Sequence, residues 1–170
     1  MKILVMSDTH NDLASCLSVI EHNLAEIEVF IHLGDGVNEF QQAQFLHSDK
    51  IFIALAGNCD WSSDLPTERE IKLEHYRFFL THGNNYNVKT TTGDLLRTAK
   101  EKAADICLFG HSHKAFFSVE NDIYMINPGS VSRGFPNQNS YCIINLENSP
   151  KVEFYNAQTF GKLSFDAISH

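Results

Sequence analysis

Five stretches of the chain are apolar almost without interruption, and each ends in a short polar cluster. Residues 2–6 run into Ser7-Asp8-Thr9-His10, residues 29–33 into Gly34-Asp35, and residues 51–55 into Ala56-Gly57-Asn58-Cys59-Asp60. Residues 77–80 lead to Thr81-His82-Gly83, and residues 106–109 to Gly110-His111-Ser112-His113. Short continuous apolar runs with no alternation are the pattern of strands covered on both faces. Five buried strands are therefore expected to deliver polar loops to one rim.

Helical periodicity fills the gaps in the first third. Asn11 or Asp12 can cap a helix whose apolar positions, Leu13, Leu17, Ile20 and Leu24, recur at spacings that keep them on one face. A second helix is expected over residues 38–47, with Phe40, Ala43 and either Leu46 or His47 inward. Strand alternating with helix is the pattern of an α/β layer. After Pro66 the pattern changes. Residues 69–73 alternate with charge and residues 76–80 follow a turn at Glu74-His75, which predicts a hairpin. Residues 84–93 read as a polar loop, and Asp94 can cap a helix through Ala104 with Leu95, Leu96 and Ala99 inward. Asn121-Asp122 marks a second hairpin between residues 115–119 and 123–126. Asn127-Pro128-Gly129-Ser130 is a further turn, and residues 141–146 and 152–155 give two last strands. The expectation is a parallel first half, a second half rich in antiparallel strands, and a single domain over residues 1–170.

Composition narrows the function. A formal net charge of −8 opposes loose binding to nucleic acid or an anionic membrane, which basic residues drive. No stretch approaches the roughly 20 apolar residues of a membrane span, and the apolar start is too short for a signal-peptide core. Cys16, Cys59, Cys107 and Cys142 show no Cys-x-x-Cys spacing, and three of them sit in apolar surroundings typical of reduced thiols. The chain reads as cytoplasmic. Of its nine histidines, four fall in the rim clusters; His22, His32, His47, His75 and His170 need no role.

The rim clusters carry the chemistry. In an extended chain His111 and His113 share a face roughly 6.6 Å apart, so each can serve one of two cations held about 3.5 to 4 Å from one another. Asp8, His10, Asp35, Asn58 and His82 complete a set of carboxylates, imidazoles and one amide. That set suits divalent transition metals, Mn first and then Ni, Fe or Zn, and not a cysteine-bound structural zinc. Asp35, between Gly34 and Gly36, is the natural bridging carboxylate, and the glycines let the backbone come close to whatever it holds. Two such ions turn a shared water into a hydroxide near neutral pH and clamp a phosphate during in-line displacement.

Asp8-x-His10, Gly34-Asp35, Gly57-Asn58-x-Asp60, His82-Gly83 and Gly110-His111-x-His113, in this order, resemble the signature of the calcineurin-like metallophosphoesterase superfamily. The short length and the Asn127-Pro128-Gly129-Ser130 turn are most similar to its small archaeal and bacterial phosphodiesterase branch. The resemblance implies a four-layer α-β-β-α sandwich, an α/β fold of two mixed β-sheets flanked by helices. It implies that Asp8, His10, Asp35 and His113 hold one metal and Asp35, Asn58, His82 and His111 the other. Asp35, Asn58 and His111 are the expected catalytic positions, and the expected substrate is a small soluble phosphoester. Larger members have histidine where this chain, like the small branch, has Cys59. A thiol, with an unperturbed pKa of about 8.5, cannot act as a cationic acid, so phosphodiesters are expected to be preferred over unactivated monoesters.

Asn11 and Arg133 can be read as substrate contacts, or as a helix cap and a solvated surface arginine. Asp60 reads either as a residue orienting the ligands or as turn chemistry. A non-catalytic interaction scaffold of the same fold, resembling the retromer subunit, is the alternative function. That relative departs at the positions equivalent to Asp35 and Asn58, and here every ligand is present. Phe116, Phe117 and Tyr124 on the late hairpin could support a homodimer contact.

Overall fold

The computed structural model describes residues 1–135 and 138–164. Two five-stranded mixed sheets lie face to face. In the first, β1 (Lys2–Met6), β2 (Val29–His32) and β3 (Ile51–Ala54) run parallel, and β9 (Ser140–Asn145) and β10 (Lys151–Asn156) extend it antiparallel beside β1. In the second, β5 (Tyr76–Thr81), β6 (Ile106–Phe109) and β8 (Ile123–Pro128) are parallel. Antiparallel β4 (Glu68–Leu73) and β7 (Ala115–Glu120) close its two edges.

The continuous apolar runs follow from this layering. Ile3 and Val5 of β1 pack between the sheets with Ile31, Leu80 and Leu108. Leu4 and Met6, pointing the other way, meet helices α1 (Leu13–Asn23) and α2 (Val37–Leu46). On the second sheet Phe79, Cys107 and Met125 meet Leu95 and Ala99 of α3 (Gly93–Glu101). Strands with one face in each core have no polar face to show. The result is the expected α-β-β-α sandwich.

Several expectations need correction. The second half is rich in antiparallel strands as expected, but β8 slots between β6 and β7 to continue a parallel core, and β9 and β10 return to the first sheet. Of the five rim-feeding strands, β3 is an edge strand and not a buried one, with Ile51 exposed. The deepest line of α1 is Cys16, Val19 and Ile20, while Leu13, Leu17 and Leu24 are half-buried. On α2 it is His47 and not Leu46 that turns inward. The α3 cap position is Thr92, with Asp94 in the first turn. The helix stops at Glu101 because Ala103 adopts φ 50°. The Ala104 and Ala103 amides donate back to Ala99 and Lys100, a Schellman stop. Residues 84–92 are loop-like as expected, apart from a short 3-10 turn at Asn84–Tyr86 and the buried Val88, and residue 93, expected in the loop, already begins α3. Asn127 and Pro128 belong to the end of β8, so the turn is confined to Gly129 and Ser130.

Phe116, Phe117 and Tyr124 are each half-buried against the chain's own cores. Among the described residues no helix is long and apolar enough to cross a membrane.

Candidate metal centre

The parallel strands of both sheets end at one rim. The β1–α1 loop brings Asp8 and His10, the β2–α2 loop Asp35, the loop after β3 Asn58, the loop after β5 His82, and the β6–β7 loop His111 and His113. Asp8, His10, Asp35, His111 and His113 all take positive φ, between 46° and 65°. That conformation is costly for most side chains, on the order of 1–3 kcal/mol, and is populated mainly by Asn, Asp and His outside glycine. The turns therefore reverse the chain within one or two residues and aim consecutive donors inward.

All seven expected side chains meet in one cluster. On one flank His113 Nε2 lies 3.2 Å from Asp8 Oδ1 and 3.1 Å from His10 Nε2. On the other, His82 Nε2 lies 3.1 Å from Asn58 Oδ1 and 3.3 Å from His111 Nδ1. Asp35 stands between them, its Oδ2 3.8 Å from His10 Nε2 and 3.5 Å from His82 Nε2. The His111 backbone amide closes the ring by donating to Asp8 Oδ2 at 3.1 Å. Asp8 Oδ1 is buried without a hydrogen bond of acceptable geometry, although His113 is near. An orphaned buried carboxylate oxygen beside facing imidazole nitrogens is a donor set short of a cation. The groups Asp8-His10-His113, Asp8-Asp35-His82 and His10-Asp35-Cys59 each have the compactness to hold a metal ion.

The ring nitrogens are held by backbone carbonyls. His82 Nδ1 donates to Leu33 O at 2.8 Å and His113 Nδ1 to Arg133 O at 3.2 Å, leaving each Nε2 for the cluster. It is thus the Arg133 carbonyl that reaches the site; its side chain is exposed. Burial pushes the carboxyls of Asp8 and Asp35 up, but His113 beside Asp8 and His82 beside Asp35 outweigh it and hold both below the usual carboxylate range. For His82 burial works downward, and Asp35 and Asp8 outweigh it, raising the imidazole above its ordinary 6.5. Burial lowers His10, and with the charge of His82 takes His111 down to about 4. His10 and His111 are therefore neutral at neutral pH, and His82 is the imidazole biased toward its protonated form.

The supporting polar groups are less legible in sequence. Asp60 accepts four backbone amides: Asp35 and Gly57 on Oδ2, at 2.7 and 2.8 Å, and Gly36 and Val37 on Oδ1, at 3.0 and 3.1 Å. It caps α2 from another loop, which is why the helix begins at Val37, one residue before the expected start. The helix-cap role at α1 falls to Asp12, whose side chain accepts from Ser15 N at 3.0 Å, while Asn11 is exposed. His32, expected to need no role, is fully buried, and burial takes it down to about 4. Its Nδ1 accepts from Gly34 N at 3.2 Å, so its Nε2 donates to Thr9 Oγ1 at 3.2 Å. Thr9 in turn donates to Glu39 Oε1 at 3.1 Å, which also accepts from Asn11 N at 2.6 Å. Asn127 Nδ2 donates to Gly110 O and Ser112 Oγ, and Ser130 and Ser132 hydroxyls donate to Asp8 O. His170 lies outside the described residues. At φ 96° Gly34 sits against the Gly57 backbone and the His82 ring, where a side chain would overlap both. A side chain at Gly57 would overlap Asp35 Oδ1.

Comparison with known proteins follows the motifs. The model of the calcineurin-like phosphoesterase superfamily domain matches residues 1–149. The chain belongs to this superfamily. Probable metallophosphoesterase YsnB of Bacillus subtilis is 31% identical over 157 residues, covering 91% of this chain and 90% of its own. Phosphodiesterase MJ0936 of Methanocaldococcus jannaschii is 32% identical over 144 residues, covering 76% and 83%. A crystal structure of a Vps29 single mutant from Entamoeba histolytica superposes with a TM-score of 0.78 over 96% of each chain at 18% identity, a likeness of fold alone.

Proposed function

We propose that this chain is a two-metal phosphodiesterase hydrolysing a small phosphoester. The observation that carries the reading is the position of Asp35, one carboxylate oxygen of which faces imidazole nitrogens on both flanks. Asp8, His10, Asp35 and His113 hold one divalent ion, and Asp35, Asn58, His82 and His111 the other. Mn, Ni, Fe and Zn all suit this mixture of oxygen and imidazole donors. When bound, the ions supply Lewis acidity toward phosphoryl oxygens and a water nucleophilic near neutral pH.

The chain's own groups do the remaining work. The Leu33 and Arg133 carbonyls fix His82 and His113, so that the ligand atoms need no reorganisation. Asp35, Asn58 and His111 are the catalytic positions; Asn58 is exposed and His111 half-buried, so both are open to an incoming phosphate. Burial and the adjacent Asp35 push the Cys59 thiol up to about 11, where it neither attacks as thiolate nor protonates a leaving group as a cation. Leaving groups that need little protonation are therefore favoured. Cys59→His is expected to raise monoesterase activity relative to diesterase activity; steady-state rates on a matched aryl monoester and diester check it, and an unchanged ratio counts against the role given to Cys59.

The decisive experiment is metal analysis of the purified protein, followed by a phosphoester panel with added Mn or Ni. Two ions per chain and metal-dependent diester hydrolysis are expected; tight metal binding with no turnover of any phosphoester would oppose the reading. Metal uptake also has a pH signature. An entering cation displaces the proton on His82, so affinity falls as the pH drops through the raised pKa, beginning above 6.5. His10 and His111, already neutral, add nothing there. In the metal-free protein the sign is opposite: the His82 pairing contributes stability fully below 6.5 and loses it as pH rises through the raised value. Calorimetric titrations in buffers of different ionisation enthalpy measure the protons released.

A further inference from the structure

Beside the ligand cluster lies a cleft of about 130 Å³ between the start of α2 and the loop that follows β3. His10 and Asp35 form its inner end, and Asn11, Asn38, Trp61 and Ser62 line the rest. Trp61 is 91% exposed, while large aromatic residues such as Phe30, Phe40, Phe79 and Phe109 fill the cores. The indole therefore packs into no core and stands at the mouth of the site.

The charges in this cleft are already committed. Asp60 is occupied by its four backbone amides, and Glu39 by Thr9 Oγ1 and Asn11 N. The Gly36 amide just before α2 and the Val37 amide that begins it point at Asp60 and are not free for an anion. Among the described residues no lysine or arginine lines the cleft. A second phosphate or a carboxylate would meet the acidic Glu39 and Asp60 with no lysine or arginine in the lining to balance its charge. A neutral planar group meets an indole face and the side-chain amides of Asn11 and Asn38, the combination by which unpaired bases are stacked and hydrogen-bonded on proteins.

We propose that Trp61 is the stacking platform for a nucleobase, and that the substrate is a nucleoside phosphodiester whose phosphate lies at the Asp35 cluster. This rests on the two-metal hydrolase reading and names its substrate class. Base on aromatic stacking contributes enough to change affinity by roughly 5- to 150-fold, and the cleft places that contribution next to the reacting group.

Trp61 is the single tryptophan of the chain, so its fluorescence reports on the cleft alone. In the Mn-loaded protein, adenosine 5′-monophosphate is expected to quench this emission and ribose 5-phosphate is not; equal responses to the two overturn the proposal. The kinetic test uses two diesters with the same leaving group, thymidine 5′-(p-nitrophenyl phosphate) and methyl p-nitrophenyl phosphate. Trp61→Ala is expected to lower the kcat/KM ratio of the first to the second by about 5- to 150-fold, mainly through KM, and Trp61→Phe to restore most of it. An unchanged ratio overturns the platform. If the wild type hydrolyses neither ester, the hydrolase reading fails and the fluorescence titration still decides the cleft. If it hydrolyses both without preference and without quenching, the nucleobase assignment fails alone.

Discussion

Asp35→Asn is expected to cost more, in both metal affinity and phosphoesterase rate, than the roughly 10- to 100-fold that follows loss of an outer-shell partner. The substitution keeps volume and one carbonyl oxygen, so the Cys59 amide, which donates to Oδ1 at 2.7 Å, keeps its acceptor. What disappears is charge at the one position facing both flanks. Of the seven clustered side chains only Asp8 and Asp35 are anionic, so the ion assigned to Asn58, His82 and His111 would be left with no carboxylate and the other with Asp8 alone. The folded state should change little, within about 1 kcal/mol. His82 loses one of the two carboxylates that raise its pKa, so its titration should move downward, visible in the imidazole NMR signals of the metal-free protein. Metal content after dialysis and initial rates with added Mn complete the test. Retention of two ions at wild-type affinity would remove Asp35 from its bridging position and with it the central premise of the proposed function.

The seven clustered residues are legible in the sequence because each terminates an apolar run, a local pattern that needs no knowledge of which strands pair. The layers are legible for the same reason, since a strand such as β1 that feeds one core with Ile3 and Val5 and another with Leu4 and Met6 must be covered on both sides. Pairing is a different matter. Nothing within residues 123–128 says that β8 will insert between β6 and β7, because register and neighbour are set by partners distant in the chain. The same distance hides the start of α2. Its cap is a carboxylate 24 residues beyond Gly36, and a local reading finds no side chain there to accept the first amides. His32 escapes attention because it sits inside an apolar run, where only the facing Thr9 and Glu39 reveal a polar contact. The left-handed turns at Asp8, His10, Asp35, His111 and His113 are consistent with their residue types, yet the strain becomes evident only from the backbone.

Asp60→Ala is expected to have the largest effect on stability of any substitution outside the cores. Its carboxylate ties the β2–α2 loop to the loop after β3 through four amides, two of them at the positive end of α2. Each bond to a charged acceptor contributes about 1.5–3 kcal/mol in isolation. They share one carboxylate, and water can replace part of them, so a total near 3 kcal/mol is expected. For a chain of this size that is a fall in melting temperature of about 6–12 °C. The functional consequence separates a brace for the fold from a residue that positions the ligands. The bond at 2.7 Å is made by the Asp35 amide itself, so losing it frees the turn that aims Asp35 between the flanks. Metal affinity should fall about 10- to 100-fold while the Asp35 carboxylate remains present. Asp60→Asn keeps one carbonyl oxygen but sets an amino group against two amides, and should fall between wild type and alanine in both measurements. Loss of stability with unchanged metal affinity would make Asp60 a structural staple only, and Asp35 would then be held in place by its own left-handed turn.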